Sequence, residues 1–251
     1  MQTYKKFLLA AAATLVFSAN AMAAEKLRMG IEAAYPPFNN KDASGQVVGF
    51  DKDIGDALCA KMKVECEVVT SDWDGIIPAL NAKKFDFLVS SLSITDERKQ
   101  AVDFTEPYYS NKLQFIAAKN VDFKTDKADL KGKTIGTQRA TQAATWLEDT
   151  YGDDIKVSLY DTQENAYLDL TSGRLDAILA DKYANYDWLK SDAGKNYEFK
   201  GDPVMESDKI GIAVRKGDNK LRNELNAALK EIVADGTYKK INDKYFPFSI
   251  Y

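Results

Sequence analysis

Three serines and an arginine, Ser90, Ser91, Ser93 and Arg98, fall within one nine-residue stretch, and together they suit the capture of an anion. A guanidinium matches a carboxylate in bidentate fashion, and serine hydroxyls can complete its shell. Phe85 to Val89, just before them, is a short apolar run bounded by polar residues, the pattern of a buried strand. Ligands of open α/β sheets bind beyond the carboxyl ends of strands, where this strand would deliver its hydroxyls, free backbone N–H groups and Arg98. Taken alone, the stretch also reads as a plain polar loop.

Composition excludes several other chemistries. The chain has no histidine, which removes Ser-His-Asp and Cys-His nucleophilic sites, most zinc sites and the commonest general base; carboxylate-based catalysis stays open. No metal or cofactor is expected. Lys5 and Lys6 precede an apolar run from Phe7 to Phe17, and Ala21-Met22-Ala23 has the small-x-small form of a cleavage site. Residues 1–23 therefore read as an export signal, with the mature chain starting near Ala24. Removing the signal leaves 32 Lys and Arg against 38 Asp and Glu, a net charge of −6 that argues against a nucleic-acid partner. In an oxidising compartment Cys59 and Cys66 read as a staple, with two free buried thiols as the alternative. Seven residues of continuous helix would set them about 10 Å apart, beyond disulfide reach, so a staple requires the helix from Asp51 to end near Met62.

Strand and helix signals alternate along the rest of the chain. Strands are expected over Leu27 to Ile31, Val64 to Thr70, Phe85 to Val89, Leu113 to Ala118, Thr134 to Thr137, Lys156 to Tyr160, Arg174 to Leu179 and Ile210 to Val214. Helices are expected from Asp51, over Ile76 to Lys83, from Thr141, Glu164 and Lys182, and over Leu221 to Val233 and Tyr238 to Tyr245. Repeated β-α-β units imply an α/β fold with mostly parallel sheets flanked by helices. The apolar strands Leu113 to Ala118 and Ile210 to Val214 bracket a middle block, as two crossing hinge strands would. The expected division is one discontinuous lobe of residues 24–111 and 207–251 and an inserted lobe of residues 112–206, with a cleft between them.

Several stretches in this order, GIEAAYPPF (Gly30 to Phe38), VGFDKDIGDALC (Val48 to Cys59), SDWDGIIPAL (Ser71 to Leu80), SSLSITDERKQAVDFTEPYY (Ser90 to Tyr109), GRLDAILAD (Gly173 to Asp181) and DGTYKKINDKYF (Asp235 to Phe246), resemble the periplasmic amino-acid-binding proteins of ABC importers. The resemblance covers nearly the whole mature chain and is closest to the lysine/arginine/ornithine- and histidine-binding branch. It implies a two-lobed periplasmic-binding-protein fold of type II, a Cys59–Cys66 disulfide, and a monomer that docks to an inner-membrane ABC permease. Arg98 would take the ligand α-carboxylate, assisted by Ser91 and the Ser93 backbone, and Ser90 would accept from an ammonium group. Asp181 would hold the α-ammonium from the second lobe, with a helix N-cap as its ordinary alternative role. Tyr35 and Trp73 would sandwich the ligand side chain, and Glu32 would meet its distal cation.

The chain departs from the family pattern after Gly136. Ala140 stands where relatives carry a glycine, which leaves open whether Thr141 or Gln142 makes the second-lobe contact beyond Gln138, itself expected in the ligand site, and Arg139 brings a cation near the cleft. Met205 to Ile212 lacks the aromatic, Gly-rich insertion of basic-amino-acid binders. The expectation is a receptor for arginine, lysine, ornithine or histidine in the periplasm, and not an enzyme. The alternatives are an opine or polar amino-acid receptor, for which Arg139 would supply an extra carboxylate site, and an enzyme similar to periplasmic cyclohexadienyl dehydratases, with Glu32 as general acid.

Overall fold

The computed structural model describes residues 26–251, so the export signal expected over residues 1–23 lies outside the described residues. Two five-stranded sheets build two lobes. Across the first, the order is Glu65–Thr70, Lys26–Ile31, Phe87–Leu88, Ala213–Arg215, Val102–Phe104. Across the second it is Lys156–Tyr160, Thr134–Gln138, Ala177–Asp181, Tyr109–Ala118, Tyr197–Ile210.

Both sheets follow one plan, in which a first strand is flanked by two strands parallel to it. The remaining pairings are antiparallel, so the sheets are mixed and not mostly parallel as the β-α-β rhythm implied. The reason is connectivity. Helical crossovers give parallel pairs, whereas one strand in each sheet, Ala213–Arg215 and Tyr109–Ala118, runs against both of its neighbours. The central strand of each lobe ends at a topological switch point, where the flanking connections diverge and leave a crevice.

Tyr109–Ala118 and Tyr197–Ile210 pair with each other and link the lobes. The second of them corrects the expected strand Ile210 to Val214. Ile210 closes the long strand, the backbone N–H of Gly211 donates to Leu92, and Ala213–Arg215 then joins the first sheet. The strand escaped notice because register shifts at Lys200/Val204 and Val204/Asp208 break its two-residue alternation. A small sheet of Ala34–Tyr35, Asn39–Lys41 and Val47–Val48 is built around the turn at Pro36, Pro37 and Phe38, and Arg98 lies on a short helix, Asp96–Ala101.

Packing follows the apolar spacing. Helix Phe50–Met62 buries Phe50, Ile54 and Leu58, one face at a spacing of four, against Met29 of the sheet and Leu225, Leu229 and Ile232 of helix Asn219–Ala234. Gly55 lets the helix approach closely, because a Cβ there would fall 2.1 Å from Met29 Sδ. Burying each such side chain stabilises by about 1.5–3 kcal/mol. In the second lobe the strand Ala177–Asp181 alternates, sending Ala177 and Leu179 toward Phe115 and Leu147, and Ile178 and Ala180 toward Tyr167 and Leu170. Both faces of that sheet are therefore covered, as helices on two sides require.

The helix from Phe50 ends at Met62, with Lys63 left-handed at φ 58°. Strand Glu65–Thr70 follows, and Cys59 and Cys66 are joined across the break with a Cα–Cα distance of 6.1 Å. Among the described residues no helix is long and apolar enough to cross a membrane.

Candidate functional site

Every candidate binding residue lies at or beyond the carboxyl end of a parallel strand. Glu32 and Tyr35 follow Lys26–Ile31, Trp73 follows Glu65–Thr70, and the serines and Arg98 follow Phe87–Leu88. In the second lobe Gln138 ends its strand with Thr141 and Gln142 beyond it, and Asp181 ends Ala177–Asp181. The lobes face each other so that all of these residues line one cavity with an empty volume of about 310 Å³. Seven come from the first lobe and four from the second.

The first-lobe wall is held by one buried carboxylate. Asp51 Oδ2 accepts from Asn39 Nδ2 at 2.8 Å and Ser91 Oγ at 2.9 Å, and its Oδ1 accepts from the Tyr108 hydroxyl at 2.6 Å. Asn39 Oδ1 accepts the Ala33 N–H at 2.8 Å, and Tyr108 Oη accepts that of Ser91 at 3.2 Å. Ala33 (φ 62°) and Ser91 (φ 50°) are both left-handed, a costly state for residues with a Cβ, and these bonds hold them there. Burial pushes Asp51 up to about 6 against the pull of its donors. The serine hydroxyls are accordingly engaged within the protein. The Ser90 oxygen accepts the Glu32 N–H at 3.0 Å, the Ser91 proton goes to Asp51, and Ser93 Oγ donates to Asp208 at 3.0 Å.

Arg98 makes contacts on both sides of the cleft. Its backbone N–H donates to the N-capping hydroxyl of Thr95 at 3.1 Å, Nη1 donates to the Ser93 carbonyl at 3.0 Å, and Nη2 reaches across the cleft to the Ala140 carbonyl at 2.8 Å. The guanidinium lies over the Trp73 ring, 5.6 Å from its centroid. Trp73 is thus buried between the cleft and its own lobe, with its indole N–H unpartnered.

From the second lobe, Gln138 Nε2 donates to Glu32 Oε1 at 2.6 Å. Thr141 accepts the Ala144 N–H as N-cap of helix Gln142–Tyr151 and donates to the Gln138 carbonyl at 2.7 Å. Ala140 takes the left-handed conformation at φ 53°, so the backbone curls there despite the missing glycine. Arg139 is paired with Asp161 at 2.9 Å and lies outside the cavity lining, which withdraws the extra carboxylate site on which the opine reading depended. Asp181 precedes helix Lys182–Leu189 without capping it.

Three charged groups line the cavity: Glu32, Asp181 and Arg98. With all ionised, the wall carries a net charge of −1. Burial lifts Glu32 to about 7 against the Gln138 hydrogen bond, and desolvation, reinforced by Asp208, holds Asp181 well above the usual carboxylate range. Both acids are therefore poorly compensated and gain from a cation placed between them. Among the described residues no cluster of three or more His, Cys, Asp or Glu could hold a metal.

Asp51, Asn39, Tyr108, Asn111 and Asp208 support the site and were not read from sequence. Asp51 carried one usable signal, an acid beside Phe50 on the apolar face of a helix start. Asp208 carried none, since its strand does not alternate.

Residues 27–248 match the family model described as bacterial extracellular solute-binding proteins, family 3. The chain is similar to an L-arginine-binding protein of Pseudomonas aeruginosa, with 46% identity over 98% of both chains. It is 42% identical to a lysine/arginine/ornithine-binding periplasmic protein of Escherichia coli over 90% of each. An ancestral arginine-binding protein solved with arginine bound superposes with a TM-score of 0.84 at 37% identity, covering 89% of this chain and 99% of that one.

Proposed function

We propose that this chain, which belongs to the bacterial extracellular solute-binding proteins of family 3, is a receptor for a basic L-amino acid that it delivers to an inner-membrane ABC permease. Arginine, lysine and ornithine are the favoured ligands, with histidine a weaker candidate. The observation that carries the reading is the charge arrangement of the cavity. Arg98 stands in one lobe, Asp181 in the other and Glu32 at the wall, so the lining sums to −1 and a basic amino acid, at +1, neutralises it. A neutral zwitterion would leave one carboxylate without a partner, and unpaired buried charge is strongly unfavourable.

In this reading Arg98 takes the α-carboxylate, Asp181 the α-ammonium and Glu32 the distal ammonium or guanidinium, with Tyr35 and Trp73 flanking the side chain. Ser90, Ser91 and Ser93 shape the head-group end, and Gln138, Thr141 and Gln142 form the opposite wall. The lobes divide near residues 111–112 and 206–207, and the mature protein works in the periplasm as a monomer after removal of its leader. A thermal-shift screen across the amino acids tests the reading, because a ligand at 100 times its dissociation constant stabilises by about 2.7 kcal/mol. The largest shifts are expected from arginine, lysine and ornithine; a dominant shift from a neutral amino acid would overturn the assignment.

One observation favours a second reading. Glu32, held up to about 7, is tuned as a general acid of a dehydratase would be. Incubation with prephenate or arogenate, watched for an aromatic product, distinguishes the two; none is expected.

A further inference from the structure

A second carboxylate lies behind the head-group end of the cleft, outside the cavity lining. Asp208, 4% exposed, sits near the end of Tyr197–Ile210, directly opposite Asn111 on Tyr109–Ala118. On the other side of that same strand, Asp181 is paired with Leu113. Asn111 and Leu113 are buried and alternate with the more exposed Ser110 and Lys112, so they share one face. Asp181, Asn111 and Asp208 therefore stand in a row on that face, at the spacing of opposed and diagonal strand neighbours.

The first lobe reaches this row through Ser93, whose hydroxyl donates to Asp208 Oδ2 at 3.0 Å while its carbonyl accepts from Arg98 at 3.0 Å. Asn111, 1% exposed, lies beside both carboxylates, and its side chain lowers each of them by hydrogen bonding. Desolvation and then the charge of Asp208 raise Asp181, while the Ser93 and Asn111 hydrogen bonds and the charge of Arg98 draw Asp208 down against its own burial. Arg98 is the cation that acts on both acids, so once it serves a ligand carboxylate the pair is less compensated. Such a pair favours a protonated amine at its open end.

We propose that Asp208 is a positioning residue that determines specificity at the ammonium end of the site: it fixes Ser93 and, beside Asn111, adds its field to that of Asp181. The consequence is a requirement for ligands with a protonated α-amino group, and discrimination against des-amino and N-acylated analogues. This rests on the amino-acid reading above. Its own content is that Asp208 acts on the α-ammonium and not merely on the hinge.

Calorimetric titration of L-arginine and of 5-guanidinopentanoate, which is arginine without its α-amino group, separates these roles. Asp208→Asn keeps an acceptor for Ser93 and removes the charge. Arginine is expected to weaken by about tenfold. The des-amino compound should be unchanged or bind more tightly, since nothing at that end then needs the carboxylate. The ligand-free variant should also melt at a higher temperature than the wild type, because one of two adjacent carboxylates is gone. Equal losses for the two compounds, or a lower melting temperature, overturn the assignment. Wild-type protein that binds neither compound, with a variant that melts higher, overturns the receptor reading and leaves the carboxylate pair intact.

Discussion

Gln138 Nε2 stands 2.6 Å from Glu32 Oε1, a hydrogen bond that joins the first strand of the second lobe to the residue just beyond the first strand of the first. Together with the Arg98 to Ala140 bond at 2.8 Å, it ties the lobes across the cleft on both sides of the cavity. The acid that would face the ligand's distal cation is thus also a closure contact. Ligand selection and lobe movement would then share one carboxylate.

Selectivity is tested by Glu32→Gln, which keeps the shape and removes the charge. A pair at about 4 Å is worth roughly 4 kcal/mol at an effective dielectric near 20, before desolvation is subtracted. The net loss for arginine, lysine or ornithine is expected at about 1–3 kcal/mol, with glutamine and citrulline nearly unchanged. Calorimetry on the five ligands measures the difference; equal losses would assign Glu32 to the fold.

The same group predicts a pH dependence. In the ligand-free state burial raises Glu32 from 4.5 to about 7, and a neighbouring cation lowers it again by favouring the ionised form. Near pH 6 the free protein therefore holds more proton than the complex, and binding releases it. Affinity for a basic ligand should fall as the pH drops below about 7 and level off above it. Titrations in buffers of different ionisation enthalpy count the released proton, and Glu32→Gln should reduce that count.

Arg98→Met removes the proposed partner of the α-carboxylate, a group common to all the amino-acid ligands. The expected loss is about 2–5 kcal/mol, the range for truncating one member of a buried charge pair, and alike for every amino acid. Wild-type affinity in a folded variant would show that the carboxylate is held elsewhere.

Closure is measurable in solution. Arg98 and Asp181 lie in different lobes, so only approach of the lobes satisfies both ends of a zwitterion. The radius of gyration from small-angle scattering should fall when ligand is added. An identical profile at saturation would count against a hinge.

Local chemistry made much of this protein legible from its sequence. Apolar runs such as Phe85 to Val89 marked strands, the stretch from Asp51 marked a helix, and strand ends pointed to the serines and Arg98 as a ligand-facing group. The helix Asp96–Ala101 was open to the same reading, since Thr95 before two acids is an N-cap pattern. What only the tertiary structure decided are relationships between positions far apart in the chain. Glu32 and Gln138 are separated by 106 residues, Ser91 and Asp51 by 40, and Ser93 and Asp208 by 115. Periodicity records which face of an element is buried and is silent on which polar atoms meet across a cleft or a hinge. Those meetings depend on how two sheets are laid against each other, and they turned an arginine, three serines and scattered acids into one charged cavity.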